Sequence, residues 1–167
     1  MKRRLVTLLA FILLSGCLSM VAAQSRATSA FEHLKLLVGE WDSEEAGTSN
    51  AKVTYQLVSG GSVLMETRTP KNEPEMVTLF HLDNDKLLAT HYCSIGNQPR
   101  LVAEFSAGES RTIIFNFLDV TNLKKPTDGY MRGLRYEFVD KNNTSQTWTY
   151  REGGKDIAST FKLKRIK

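Results

Sequence analysis

The sequence predicts an all-β protein: a single antiparallel, up-and-down β-barrel of about ten strands, with one short N-terminal helix and a cleaved signal peptide in front. Three observations predict it. Beyond Gly39 apolar and polar residues alternate with period two rather than 3.6. Clusters of Gly, Asn, Asp and Pro interrupt that alternation at short intervals, as the turns of a sandwich or barrel do. Most of the gaps are short, which makes sequence neighbours antiparallel hairpin neighbours. Left flat, such a sheet would expose two edges, and closure removes both.

The N-terminus comes first. Lys2, Arg3 and Arg4 form a positive region, and Leu5 to Leu14 is an apolar run too short for a stable membrane span. Small residues follow, with Val21-Ala22-Ala23 before Gln24 as a cleavage site. Residues 1–23 are therefore expected to be a signal peptide. Leu14-Ser15-Gly16-Cys17 has the form of a bacterial lipobox, so the alternative is cleavage before Cys17 and lipidation of that residue. Either route exports the chain, to the periplasm or beyond, free or as a membrane-anchored lipoprotein. Contact with the membrane is expected only through the signal peptide or such an anchor. Residues 24–29 read as a tether, and 30–167 as the barrel domain.

Ser29 and Glu32 have the spacing of a capping box, Phe31, Leu34, Leu37 and Val38 follow helical spacing, and Gly39 stands where a left-handed C-cap is wanted. These predict a helix over 30–37. Strands are predicted at 40–44, 51–58, 62–69, 76–82, 86–92, 100–106, 111–118, 130–139, 145–151 and 156–165. Turns are expected at Ser59-Gly60-Gly61, from Pro70 to Pro74, at Asp83-Asn84-Asp85, from Gly96 to Pro99, at Ala107-Gly108-Glu109, from Asp140 to Asn143 and at Gly153-Gly154. Residues 120–129 form a longer loop, read as a solvated segment or a rim.

Charge and cysteine content narrow the function classes. Taking Lys2, Arg3 and Arg4 from the 22 Lys and Arg leaves 19, against 18 Asp and Glu. A near-neutral mature chain without a clustered basic face disfavours nucleic-acid binding. With Cys17 removed or lipidated, Cys93 has no disulfide partner. Stability then rests on the core. Roughly 140 residues bury about two-thirds of their unfolded surface, enough for one domain.

The segment Thr90 to Arg100 concentrates the chemistry. A two-residue turn at Asn84-Asp85 pairs Leu82 with Leu87, Phe80 with Ala89 and Thr78 with His91. Met76, Thr78, Phe80, Leu82, Leu87, Ala89, His91 and Cys93 then share the more apolar face, which is placed inside, with His81 outside. A three-residue turn would reverse that parity. Three readings of His91 and Cys93 follow. They form a Cys–His nucleophile pair, or part of a metal site with His33 or His81. In the third, favoured reading they belong to a polar cluster with Asn97, Gln98 and Arg100 that satisfies itself or holds the polar end of a ligand. Arg100 could grip a carboxylate at the barrel mouth. The favoured alternative is a surface salt bridge to Glu66, Glu75 or Glu104, and Arg132 and Arg135 are read in the same way. Trp41 is expected to plug one barrel end against the helix. A barrel of about ten strands is wide enough to keep a cavity.

The stretches "FEHLKLLVGEWDSE", "YQLVSGGSVLMET", "EMVTLFHLDNDKLLATHYCSIGNQPRL" and "QTWTYREGGKDIASTFKLKR" together resemble uncharacterised bacterial lipocalin-like proteins of the calycin and nitrobindin-like β-barrel group. The resemblance implies a ten-stranded antiparallel barrel with an N-terminal helix or plug, and no settled reaction. Nitrobindin-like barrels bind haem. Their G-x-W-x-G-x-G pattern is half matched by Gly39 and Trp41, with Ser43 and Glu45 in place of the later glycines. Their haem-ligating histidine is late in the chain, and no histidine follows His91 here. Haem would therefore need another ligand, such as His91. The expectation is a non-enzymatic exported barrel for a small, largely apolar molecule, with His91, Cys93, Asn97, Gln98, Arg100 and Trp41 as candidate binding residues. The rivals are a haem protein, an enzyme using His91 and Cys93, and a filled barrel acting as an envelope interaction module.

Overall fold

The computed structural model describes residues 26–45, 48–105 and 111–166. The signal peptide, Cys17, the first residues of the tether and the turn at Ala107-Gly108-Glu109 lie outside the described residues. Ten strands follow the helix α1 (26–35). They are β1 (Gly39–Glu45), β2 (Thr48–Val58), β3 (Val63–Pro70), β4 (Met76–Asp83), β5 (Lys86–Tyr92), β6 (Gln98–Glu104), β7 (Thr112–Thr121), β8 (Tyr130–Asp140), β9 (Asn143–Glu152) and β10 (Lys155–Arg165). Each pairs with its sequence neighbours, all ladders are antiparallel, and β1 pairs with β10 to close the barrel. All ten predicted strands are present, with ends moved by a few residues.

The helix departs from its predicted start. Residues 26–29, expected as tether and cap, are already helical, and Ala27 is fully buried with Phe31, Leu34 and Leu37. Ser29 is thus inside the helix rather than capping it. The apolar stripe extends one turn back to Ala27, and its burial outweighs the local capping signal. At the other end Leu36, Leu37 and Val38 each donate to the carbonyl three residues earlier, tightening the last turn. Gly39 then takes φ 133°, open to glycine but well outside the left-handed helical well.

The hairpin that carries His91 has the predicted register: Leu82↔Leu87, Phe80↔Ala89 and Thr78↔His91. Asn84 takes φ 54°, which asparagine tolerates better than most residues. Thr78, Phe80, Leu87, Ala89 and His91 are accordingly buried on one face.

Strand direction assigns each loop to one end. α1, the β2–β3 turn, Asn84-Asp85 and Lys141-Asn142 close one end, and the β3–β4, β5–β6 and β7–β8 loops surround the other. The helix end is packed. Trp41 is 1 % exposed, its Nε1–H donates to Leu37 O at 2.7 Å, and Arg165 lies over its ring at 4.2 Å. Arg165 also donates to the carbonyls of Leu36 and Val38, so β10 clamps the exit of α1. Trp41 therefore has the plugging role its position suggests. The open end is looser. Over the described residues β10 pairs with β1 only from Phe161 to Arg165, and the β7–β8 ladder stops at Asn116↔Gly133. Beyond that point the Phe117 and Tyr130 rings, 5.0 Å apart, continue the wall.

Replacing Trp41 with Ala removes a buried indole, its hydrogen bond and the surface under Arg165. Equilibrium urea unfolding should show a loss of about 3–5 kcal/mol, whereas Trp41→Phe should lose clearly less.

Candidate functional site

Inside the barrel the apolar packing ends at a polar layer. On β3, Leu64, Glu66 and Arg68 face inward and are buried. Glu66 is met by groups from three other strands. Tyr136 Oη, on β8, donates to Glu66 Oε2 at 2.5 Å, and Gln146 Nε2, on β9, donates to the same oxygen at 2.6 Å. Tyr55, on β2, joins through Tyr136 Oη at 3.1 Å and Gln146 Nε2 at 2.9 Å. Tyr55, Glu66, Tyr136 and Gln146 are each 2 % exposed or less. The amide nitrogen must face the carboxylate, because reversing it would set acceptor against acceptor. That leaves Gln146 Oε1 buried without a partner. Burial raises the Glu66 pKa, against the pull of the tyrosines, Arg68 and Gln146.

One step along β3 toward the open end is Arg68, 8 % exposed. Its Nη1 donates to Ser43 Oγ at 3.0 Å and its Nη2 to Asn50 Oδ1 at 3.2 Å. Its guanidinium stacks on Phe161 at 4.0 Å. Both of these hydrogen-bond acceptors are neutral. Asn50 in turn donates to Glu45 Oε2 at 3.2 Å. Two strands away on β5, His91, 4 % exposed, holds Thr78 Oγ1 with Nδ1 at 3.0 Å and packs its ring 4.9 Å from Trp148. Nε2 has no partner. Burial, reinforced by the positive charge of Arg68, lowers the His91 pKa to about 4, so the imidazole is neutral at physiological pH.

Above these groups lies a cavity of 560 Å³ at the open end. Met76, Met131, Trp148 and Phe161 supply its apolar walls, and Glu66, Arg68 and His91 its polar floor. Its volume is in the usual range of small-molecule sites. A larger concavity at the helix end, beside His33, Trp41 and Arg165, is somewhat more open. None of its polar lining side chains is buried, whereas Glu66, Arg68 and His91 in the lumen cavity are.

The structure divides the sequence-predicted residues. His91 and Cys93 line the lumen cavity together. Asn97 is buried in the β5–β6 loop, where Nδ2 donates to Gly129 O at 2.8 Å and ties two rim loops together. Gln98 bonds Gly96 O and Thr121 Oγ1 on the exposed side. Arg100 points outward and forms a two-bond ion pair with Asp119. This is the expected surface salt bridge, with Asp119 in place of Glu66, Glu75 or Glu104. Trp41 belongs to the helix end, away from His91. No hydrogen bond joins His91 to Cys93, since Nδ1 is on Thr78 and Nε2 is unpartnered. Among the described residues no three His, Cys, Asp or Glu side chains are placed to hold a metal. Nor do the residues present suit a haem. His33 and His81 lie away from the cavity, and Nε2 of His91 is enclosed in the wall, out of reach of a macrocycle.

Sequence reading missed Tyr55, Glu66, Arg68, Tyr136 and Gln146 as a set. Glu66 is expected on the surface, as a salt-bridge partner of Arg100, and is instead buried in the lumen. On β3 the alternative face, Val63, Met65 and Thr67, is the more apolar, so the usual rule points the wrong way.

Comparison with known protein families finds no matching family model, and comparison with curated proteins finds no matching sequence.

The His91 shift sets a pH dependence. Its folded pKa is below its unfolded value, so this contribution to stability is complete above about pH 6.5 and is lost as pH falls toward 4. Over that window the loss is about 3 kcal/mol. In His91→Gln the contribution is absent. Urea unfolding of both proteins from pH 7 to pH 4 should show their stability difference shrinking by about that amount.

Proposed function

We propose that this chain is an exported, non-enzymatic member of the lipocalin-like calycin group that binds a small, largely apolar molecule inside its barrel. The observation that carries the reading is the division of the lumen. The half next to α1 is filled by Phe80, Phe115, Leu64, Leu87, Leu101 and Leu134, whereas the half beyond Glu66 keeps a 560 Å³ cavity with aromatic and methionine walls. Methionine side chains adapt to ligands of varied shape, and a few fixed polar groups at a cavity floor orient them. The lack of a His91–Cys93 hydrogen bond takes away the support for a nucleophile pair.

The purified protein should bind a fluorescent apolar probe such as N-phenyl-1-naphthylamine saturably, one per chain, and the probe should accept energy from Trp148. Met131→Trp, which fills the cavity from its wall, should weaken probe binding at least tenfold with the fold intact by circular dichroism. Absence of saturable binding to the folded protein would overturn the proposal.

A further inference from the structure

Arg68 is a buried cation whose surroundings are incomplete. Among the described residues it lies in no ion pair within 4.0 Å, although five others are present on the outer surface. Its two hydrogen bonds go to the neutral oxygens of Ser43 and Asn50, and a guanidinium has five N–H donors. Burying a cation without a close anion is costly, which is why buried arginines usually meet carboxylates or phosphates. The acidic groups that act on Arg68 are Glu66, Glu45 and Glu73. Glu66 is engaged by Tyr136 and Gln146, and Glu45 receives Asn50 instead of Arg68.

A second unsatisfied polar residue borders the same cavity. His91 is 4 % exposed, lines the cavity with Arg68, and has no partner at Nε2. When the Thr78 hydroxyl donates to Nδ1, the one imidazole proton sits on Nε2 and makes it a donor. The cavity floor then presents the guanidinium donors and an uncommitted positive charge beneath apolar walls.

We infer that the cavity selects amphiphiles carrying a carboxylate, with the head group seated on Arg68 and the tail lying between Met76, Met131, Trp148 and Phe161. A planar carboxylate offers a guanidinium two parallel charge-assisted bonds. The rim carries both signs, with Glu45, Lys71 and Glu73, so selection by charge falls to the floor. This inference rests on the lumen-binding reading above and adds the chemical class of the ligand.

The test compares three probes with one tail: decanoate, decanol and decyltrimethylammonium. Binding to the purified protein at neutral pH is followed by calorimetry and by Trp148 fluorescence. Decanoate should bind at least tenfold more tightly than decanol, and the ammonium no better than decanol. In Arg68→Met the decanoate advantage should disappear while decanol affinity changes less than about twofold. Arg68→Lys, which keeps the charge but loses the planar fork, should retain part of it. The wild-type comparison stands by itself if Arg68→Met does not fold. Equal binding of decanol and decanoate would overturn the carboxylate assignment and leave the lumen reading in place. Preference for the ammonium would also overturn it, showing that Glu45, Glu66 and Glu73 govern the site. Binding of none of the three would overturn both.

Discussion

A carboxylate in the middle of an apolar barrel must be met by donors, and Glu66 is met from across the lumen. Tyr136 and Gln146 reach it from β8 and β9, while Tyr55 completes the layer from β2. These bonds join strands that are far apart in sequence, since Glu66 and Gln146 are 80 residues apart. They also span the barrel, so they hold its opposite walls at a set distance. Removing one partner would leave the carboxylate uncompensated in a low-dielectric site, which costs more than the bond itself contributes. The layer is thus both a strut and a floor. Below it Phe80, Leu64 and Phe115 pack tightly under α1, and above it the walls do not meet.

The electrostatics above the floor follow from that arrangement. Arg68 comes two residues after Glu66 and so points to the same side of β3. Its positive field and the burial of the ring keep His91 neutral. The lumen then contains one carboxylate with its donors in place, one guanidinium with neutral acceptors only, and one imidazole with half its hydrogen-bonding capacity used. Such asymmetry departs from a structural network, which tends toward full satisfaction.

Legibility from sequence varied with the range of the interaction. The β4–β5 hairpin could be read to the residue, because Asn84-Asp85 is a short turn and the apolar set on one side is plainly larger. The inward placement of His91 and Cys93 followed directly. The outward ion pair of Arg100 was read correctly in kind, but its partner depended on β6 and β7, where the register shifts beside Arg100. Glu66 and Arg68 went unread for the opposite reason. Their strand carries a charged face and an apolar face, and local hydrophobicity favours the wrong one. Only pairing with β2 and β4, through Tyr55↔Glu66 and Glu66↔Thr78, turns the charged face inward.

What the sequence by itself determined is the class of fold: period-two alternation, short turns and a preceding amphipathic helix leave a closed meander as the arrangement that covers both sheet edges. It also determined the orientation of the one hairpin whose turn chemistry sets its register. Only the tertiary structure decided which polar side chains share the lumen, where the core stops and the cavity begins, and that Trp41 and His91 belong to opposite ends. The physical reason is that inside and outside are properties of the closed sheet. A strand with two plausible faces takes its orientation from its neighbours, and the neighbours take theirs from closure of β1 on β10.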